Sequence, residues 1–115
     1  MEHLNIIKLQ GNVGSIRIIT IDDTRVAHFS LATCYMYKSN RGDYISETTW
    51  HNITAWEGQV IEDLSRLEKG CIVSVTGRVR NQRYTSSDGT ERTFNEVLAN
   101  KLCIIKGAED NSEAL

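Results

Sequence analysis

Residues 4–10 (Leu-Asn-Ile-Ile-Lys-Leu-Gln) and 15–20, rich in isoleucine, read as a single long β-segment broken only by Gly11-Asn12-Val13-Gly14. Glycine inside a strand pattern marks a bulge or a sharp bend. A long first strand that bends is what a small barrel needs in order to close. Gly-x-x-Gly has a competing reading as an RNA-clamping loop of the KH type, but that loop sits between helices. The isoleucine-rich flanks of this one argue for strand instead.

The rest of the chain keeps the period of two. Residues 22–24 (Asp-Asp-Thr) are a turn. From Val26 the pattern alternates, with Phe29, Leu31 and Thr33 on one face and His28, Ser30 and Ala32 on the other. Residues 34–37 extend this strand to a polar hairpin turn, Lys38-Ser39-Asn40-Arg41-Gly42-Asp43. Arg41-Gly42-Asp43 spells an integrin-binding tripeptide and is read here as turn chemistry. The return strand from Tyr44 carries Thr48-Thr49-Trp50-His51-Asn52-Ile53-Thr54-Ala55-Trp56. Trp50 and Trp56 share its polar face, while His51, Ile53 and Ala55 share the other. Two large rings on a polar face need either a covering layer or a flat ligand.

The period changes once. Between residues 57 and 69, Val60, Ile61, Leu64 and Leu67 recur at helical steps, predicting a helix of about three turns. Glu57, Glu62 and Asp63 near its start, Arg66 and Lys69 at its end and Gly70 beyond match the helix dipole and a C-terminal stop. Strand then resumes, with Val73, Val75, Gly77 and Val79 on one face. Ile72, Ser74, Thr76, Arg78 and Arg80 share the other, and Gln82 and Tyr84 keep that parity. Residues 85–90 form a hairpin tip and residues 93–105 the last strand. Strand, strand, strand, helix, strand, strand is the order of an all-β, five-stranded Greek-key barrel, the oligonucleotide/oligosaccharide-binding (OB) fold. The reading is one domain over residues 1–106 and a short acidic extension, flexible, over residues 107–115.

Function classes narrow quickly. At 115 residues with 40% apolar and 24% charged side chains, the chain has an ordinary globular composition. No apolar run approaches the ~20 residues that cross a bilayer, and the N-terminus lacks the signature of a secretory signal. A cytoplasmic protein with no membrane partner is expected. Cys34, Cys71 and Cys103, odd in number and far apart, fit buried reduced thiols better than disulfides. The histidines and cysteines lack metal-ligand spacing, and no nucleophile elbow or phosphate-binding glycine loop occurs. The reading is therefore no enzyme, no metal and no cofactor.

A net charge of −2 argues against a polycation that coats nucleic acid. Without Glu109, Asp110 and Glu113 of the extension the body is balanced, 13 basic against 12 acidic side chains. Affinity for nucleic acid would have to come from local placement. Single strands offer flat bases and a charged backbone, met by aromatic rings and by Arg or Lys. Trp50 and Trp56 on one strand, Tyr84 beside Arg78, Arg80 and Arg83 on another, and Tyr35 and Tyr37 before the hairpin turn fit that need. Trp is also usually largely buried, so the same rings could fill a core or an interface. Tyr37 has the parity of Phe29 and Leu31 and would face outward only if its strand bulges or twists.

The ordered set Gly11-Asn12-Val13-Gly14, Leu31-Ala32-Thr33, Thr49-Trp50-His51, Leu67-x-Lys69-Gly70, Val75-x-Gly77-x-Val79-Arg80 and Tyr84-Thr85 before Asp88-Gly89 resembles the bacterial single-stranded DNA-binding proteins. The resemblance runs from about Asn5 to Ile105. It implies an OB domain that assembles as a homotetramer and binds single-stranded DNA without sequence preference in replication, recombination and repair. Position by position, it places stacking rings at Tyr37, Trp50, Trp56 and Tyr84. Family members more often have tryptophan at positions 37 and 84 and phenylalanine at 56. It also makes His51 a subunit-contact residue. Arg78, Arg80, Arg83, Lys38 and Arg41 are the expected phosphate partners. The family's long linker with an acidic, aromatic-ended tip is not found in this sequence, which is then either the binding core of a longer protein or a short member, and recruitment of replication and repair proteins through such a tip is not claimed for it. The alternatives are an OB module for protein interaction or primosome assembly, and a binder of single-stranded RNA.

Overall fold

The computed structural model describes residues 2–58 and 64–107. Five strands, β1 (Ile7–Ile21), β2 (Thr24–Lys38), β3 (Tyr44–Trp56), β4 (Ile72–Thr85) and β5 (Glu91–Lys106), close into a barrel in the order β1-β2-β3-β5-β4. All neighbours are antiparallel except β3 and β5, which run parallel where they meet at Ile53–Val97 and Thr54–Leu98. That one parallel seam is where the Greek-key path closes.

The glycine-interrupted first segment is one continuous strand. Its register against β2 slips between Val13 and Ile16, the bulge expected from Gly11-Asn12-Val13-Gly14. The bend lets β1 pair with β4 along residues 7–12 and with β2 along residues 12–21. A single strand thus borders two neighbours and the barrel closes. Asp22 and Asp23, with φ of 50° and 65°, make the two-residue turn into β2, a conformation whose twist matches paired strands.

One face of each strand fills the interior. Phe29, Leu31, Ile53, Ala55, Val73 and Val75 are buried, as the period of two predicts. Between β3 and β4, the described residues hold a single 3-10 turn, Leu64–Arg66. Residues 59–63, which carry much of the expected three-turn helix, lie outside the described residues, as do residues 108–115 of the acidic extension. Of the expected apolar face, Leu64 and Leu67 are both buried in the core, and Val60 and Ile61 lie outside the described residues. Glu57 accepts a 2.8 Å hydrogen bond at Oε2 from the Leu64 backbone N–H, and Arg25 Nε donates to its Oε1 at 2.9 Å. It ties the turn to the start of β2. Cys71 is buried, but Cys34 and Cys103 are exposed, so only one of the three thiols has the interior place expected for all of them. Cys34 lies too far up its hairpin and Cys103 alternates outward from Leu102.

The β2–β3 hairpin continues past the barrel. Its register runs without irregularity from Val26–Trp56 to Lys38–Tyr44. Beyond Cys34 both faces of this arm are exposed. Tyr37 therefore reaches solvent without a bulge. It keeps the parity of Phe29 and Leu31, but no layer covers that face so far from the core.

Candidate nucleic-acid interface

The outer faces of β1, β2 and β3 form a shallow groove of about 550 Å³, lined by Ser15, Arg17, His28, Ser30, Asn52 and Thr54 and bounded by Phe94 and Glu96 of β5. A second groove adjoins it, lined by Ile21, Val26, Trp56, Arg80, Gln82 and Arg83. His28, Thr54, Phe94 and Glu96 border both. The two are one continuous surface, crossed by the β4–β5 ribbon.

Trp50 sits midway along β3 and Trp56 at its end, on the same face. Six residue steps along the strand separate them, about 20 Å. Trp50 is 61% exposed, and its indole lies across Gly14. A Cβ at Gly14 would come within 2.5 Å of the ring's Cζ3. The glycine that the sequence assigned to a bend is also the seat of a ring. Lys69, Ser15 and Ser30 complete the surroundings of this indole. Trp56 is half-buried, beside Arg80, Gln82 and Arg83.

Polar groups below the second groove are fully connected. Glu96 is buried and takes hydrogen bonds from Arg80 Nε at 2.8 Å and Gln82 Nε2 at 2.9 Å on Oε1, and from the Thr54 hydroxyl at 2.9 Å on Oε2. Burial opposes its ionisation, yet the bonds from Gln82, Arg80 and Thr54 and the charge of Arg80 hold the carboxyl below its usual value. An ionised carboxylate only accepts, so the single Thr54 proton is committed to Glu96. Thr54 Oγ1 must then accept from His28 Nδ1, 3.1 Å away. In neutral His28 this leaves Nε2 as an acceptor at the groove.

Tyr84 is 46% exposed on β4, on the same face as Arg78, Arg80 and Gln82, and meets Phe94 edge to face at 5.7 Å. Arg78 and Arg83 are exposed. Arg80 is different, since its guanidinium is the ion-pair partner of Glu96. Tyr37 is exposed on the arm, 6.3 Å from Tyr35 and on the opposite hairpin face from Trp50. Arg41 and Lys38 lie at the arm's tip, where the Lys38 ammonium stands 5.9 Å from the centre of the Tyr44 ring. At the β4–β5 tip, the Ser86 hydroxyl and the Thr90 backbone lower the Asp88 pKa to about 2. His51 points away from the indoles and bonds Thr33 Oγ1 through Nε2 at 2.9 Å, and burial lowers its pKa. Among the described residues no cluster of His, Cys, Asp or Glu could hold a metal ion.

The structure thus gathers Trp56, Arg80 and Arg83 around one groove, with Tyr84 joined to it through Phe94. It sets Trp50 farther along the same face and leaves Tyr37, Lys38 and Arg41 on a separate arm. Three residues in these grooves escaped the sequence reading. Arg17 lies opposite His28 in the β1–β2 register, Lys69 borders the Trp50 indole, and Phe94 borders both halves of the groove. Lys69 looked like a helix terminus. Phe94 carried the better signal, an aromatic between Arg92-Thr93 and Asn95-Glu96 with no apolar neighbour to explain it.

The sequence model of the Single-strand binding protein family matches residues 4–105, nearly the whole described chain. The chain belongs to that family. A single-stranded DNA-binding protein of Neisseria meningitidis serogroup A is 33% identical over 87 residues, which are 76% of this chain and 50% of that protein. One from Xanthomonas campestris is 30% identical over 108 residues, 90% of this chain and 62% of the relative. The chain spans about half the length of the Neisseria relative. Among solved structures, a Plasmodium falciparum SSB complex with ssDNA aligns at a TM-score of 0.79 and 26% identity, covering 92% of this chain and 98% of that one. A deletion mutant of the Thermus aquaticus single-stranded DNA binding protein shares the fold at a TM-score of 0.75 and 20% identity, over 90% of this chain and 51% of the other.

Proposed function

We propose that this chain binds single-stranded DNA without sequence preference, as a non-catalytic protein that protects and holds open strands in replication, recombination and repair. The observation that carries the reading is the continuous outer groove, with Trp56 inside it, Trp50 at its far end and Tyr84 on the ribbon that crosses it. Exposed rings on rigid strands suit bases, at about 1–3 kcal/mol per stacked base. Family membership and the likeness to a complex with ssDNA support the same assignment. Duplex DNA hides its base faces and has no use for such rings.

In this reading Trp50, Trp56 and Tyr84 stack bases along the groove. Tyr37 adds a ring where a strand leaves the barrel for the arm. Arg78, Arg83, Lys38 and Arg41 are the available phosphate partners, and affinity falls with salt. Arg80 acts through Glu96, by fixing the wall beside Trp56. We further infer a homotetramer with His51 near a subunit contact. The exposed Ile18, Ile19, Tyr35 and Ile45 support association by leaving apolar surface uncovered in one copy.

Tryptophan fluorescence titrated with oligo(dT) and with duplex DNA of equal length tests the assignment. Quenching by oligo(dT) and little response to duplex is expected; equal binding of both would overturn it. Light scattering is expected to give about four times the 13.0 kDa chain mass.

A further inference from the structure

We propose that Phe94 is a further base-contacting ring, set where the β4–β5 ribbon crosses the outer face of β2 and β3; this rests on the single-stranded DNA reading above. A lone exposed phenylalanine is ordinary surface. Phe94 is not isolated. It is 40% exposed, borders both halves of the groove, and stands outside the barrel's hydrophobic core. The surrounding wall mixes polar side chains, among them His28, Asn52, Thr54, Arg80 and Gln82, with the apolar Ile21, Val26 and Trp56.

Its one described ring partner is Tyr84, with centres 5.7 Å apart and planes at 67°. An edge-to-face pair cannot clamp one base between parallel faces. It suits two bases that are not coplanar, one on each ring, so that a strand changes direction as it passes the ribbon. Cations for the accompanying phosphates are close in sequence and register. Arg83 and Arg92 flank Tyr84 and Phe94 on the paired strands, Arg83 opposite Thr93 and Arg92 opposite Tyr84. Across the groove, Trp56 provides the next ring toward β3. Phe94 thereby links the Tyr84 and Trp56 sites, which sequence alone left on separate strands.

The test is fluorescence anisotropy of labelled oligo(dT) with the full chain. Phe94→Leu keeps apolar bulk beside Tyr84 and removes the π-face, and Phe94→Tyr keeps both. Expected are a loss of affinity of about 5- to 150-fold for Phe94→Leu and a value within about threefold of wild type for Phe94→Tyr. A residue that merely orients Tyr84 would have no effect once Tyr84 is gone. At a salt concentration low enough for Tyr84→Leu to bind measurably, the Tyr84→Leu/Phe94→Leu pair is therefore expected to bind at least about threefold more weakly than Tyr84→Leu alone. Wild-type affinity in Phe94→Leu, or a double variant equal to Tyr84→Leu, would overturn the proposal. Failure of the wild-type chain to bind oligo(dT) at all would instead remove the DNA reading, and this inference with it.

Discussion

The two tryptophans of β3 use the same residue type in opposite ways. Around Trp56 the wall is wired: His28, Thr54, Glu96, Arg80 and Gln82 form one hydrogen-bonded set, and the carboxylate in its middle is buried. Around Trp50 the ring is 61% exposed and its seat is a glycine. The difference separates rigidity from contact. A ring fixed by a connected polar wall loses little freedom when a base arrives, whereas an open ring must be ordered by the ligand. Substitutions around the wired ring should affect fold and binding together; those around the open ring should affect binding alone.

The largest effect is expected from Glu96→Ala. It strands Arg80 and the Thr54 hydroxyl beside a buried void. The loss of a buried charge partner, reduced because Arg80 is partly exposed, is about 2–3 kcal/mol, a fall in melting temperature near 10 °C by calorimetry. Next comes Trp50→Ala, expected to weaken oligo(dT) binding by about 1–3 kcal/mol while melting stays within about 0.5 kcal/mol of wild type. A comparable loss of stability there would erase the contrast between the two rings.

Acid should sharpen it further. The Glu96 pKa is lowered in the fold, so its stabilisation is complete above the unfolded-state value near 4.5 and drains away as pH falls through the lower folded value. Glu96→Gln is expected to flatten that part of the acid unfolding curve followed by circular dichroism. The smallest effect belongs to Lys69, next to the Trp50 indole. If it meets one phosphate, Lys69→Ala lowers the slope of log K against log salt by about 0.7 and leaves duplex discrimination unchanged.

Much of the barrel was legible because alternation is a local property. Phe29 and Leu31, Ile53 and Ala55, Val73 and Val75 were assigned inward by parity, and all are buried. The glycine break correctly marked the bulge in β1. Parity failed where burial depends on distant elements. Tyr37 shares the inward register yet is exposed, because the arm outruns the core. Thr54 and Glu96 lie on outward-facing positions yet are buried, because the β4–β5 ribbon and the β3–β5 seam close over them. Glu57 looked like a helix-dipole residue and proves to be a tie between β2 and the 3-10 turn.

By itself, then, the sequence determined the order of elements, the inward faces within the barrel, and most of the rings and cations from which a nucleic-acid surface could be made. Side-chain period and turn chemistry act between residues close in the chain, so one sequence carries them. Only the tertiary structure decided how that set is divided. Barrel closure sets Phe94 between Tyr84 and Trp56, ties Arg80 to Glu96, and seats Trp50 on Gly14. Each of these pairs joins different strands, and the distance between strands is fixed by packing rather than by sequence spacing.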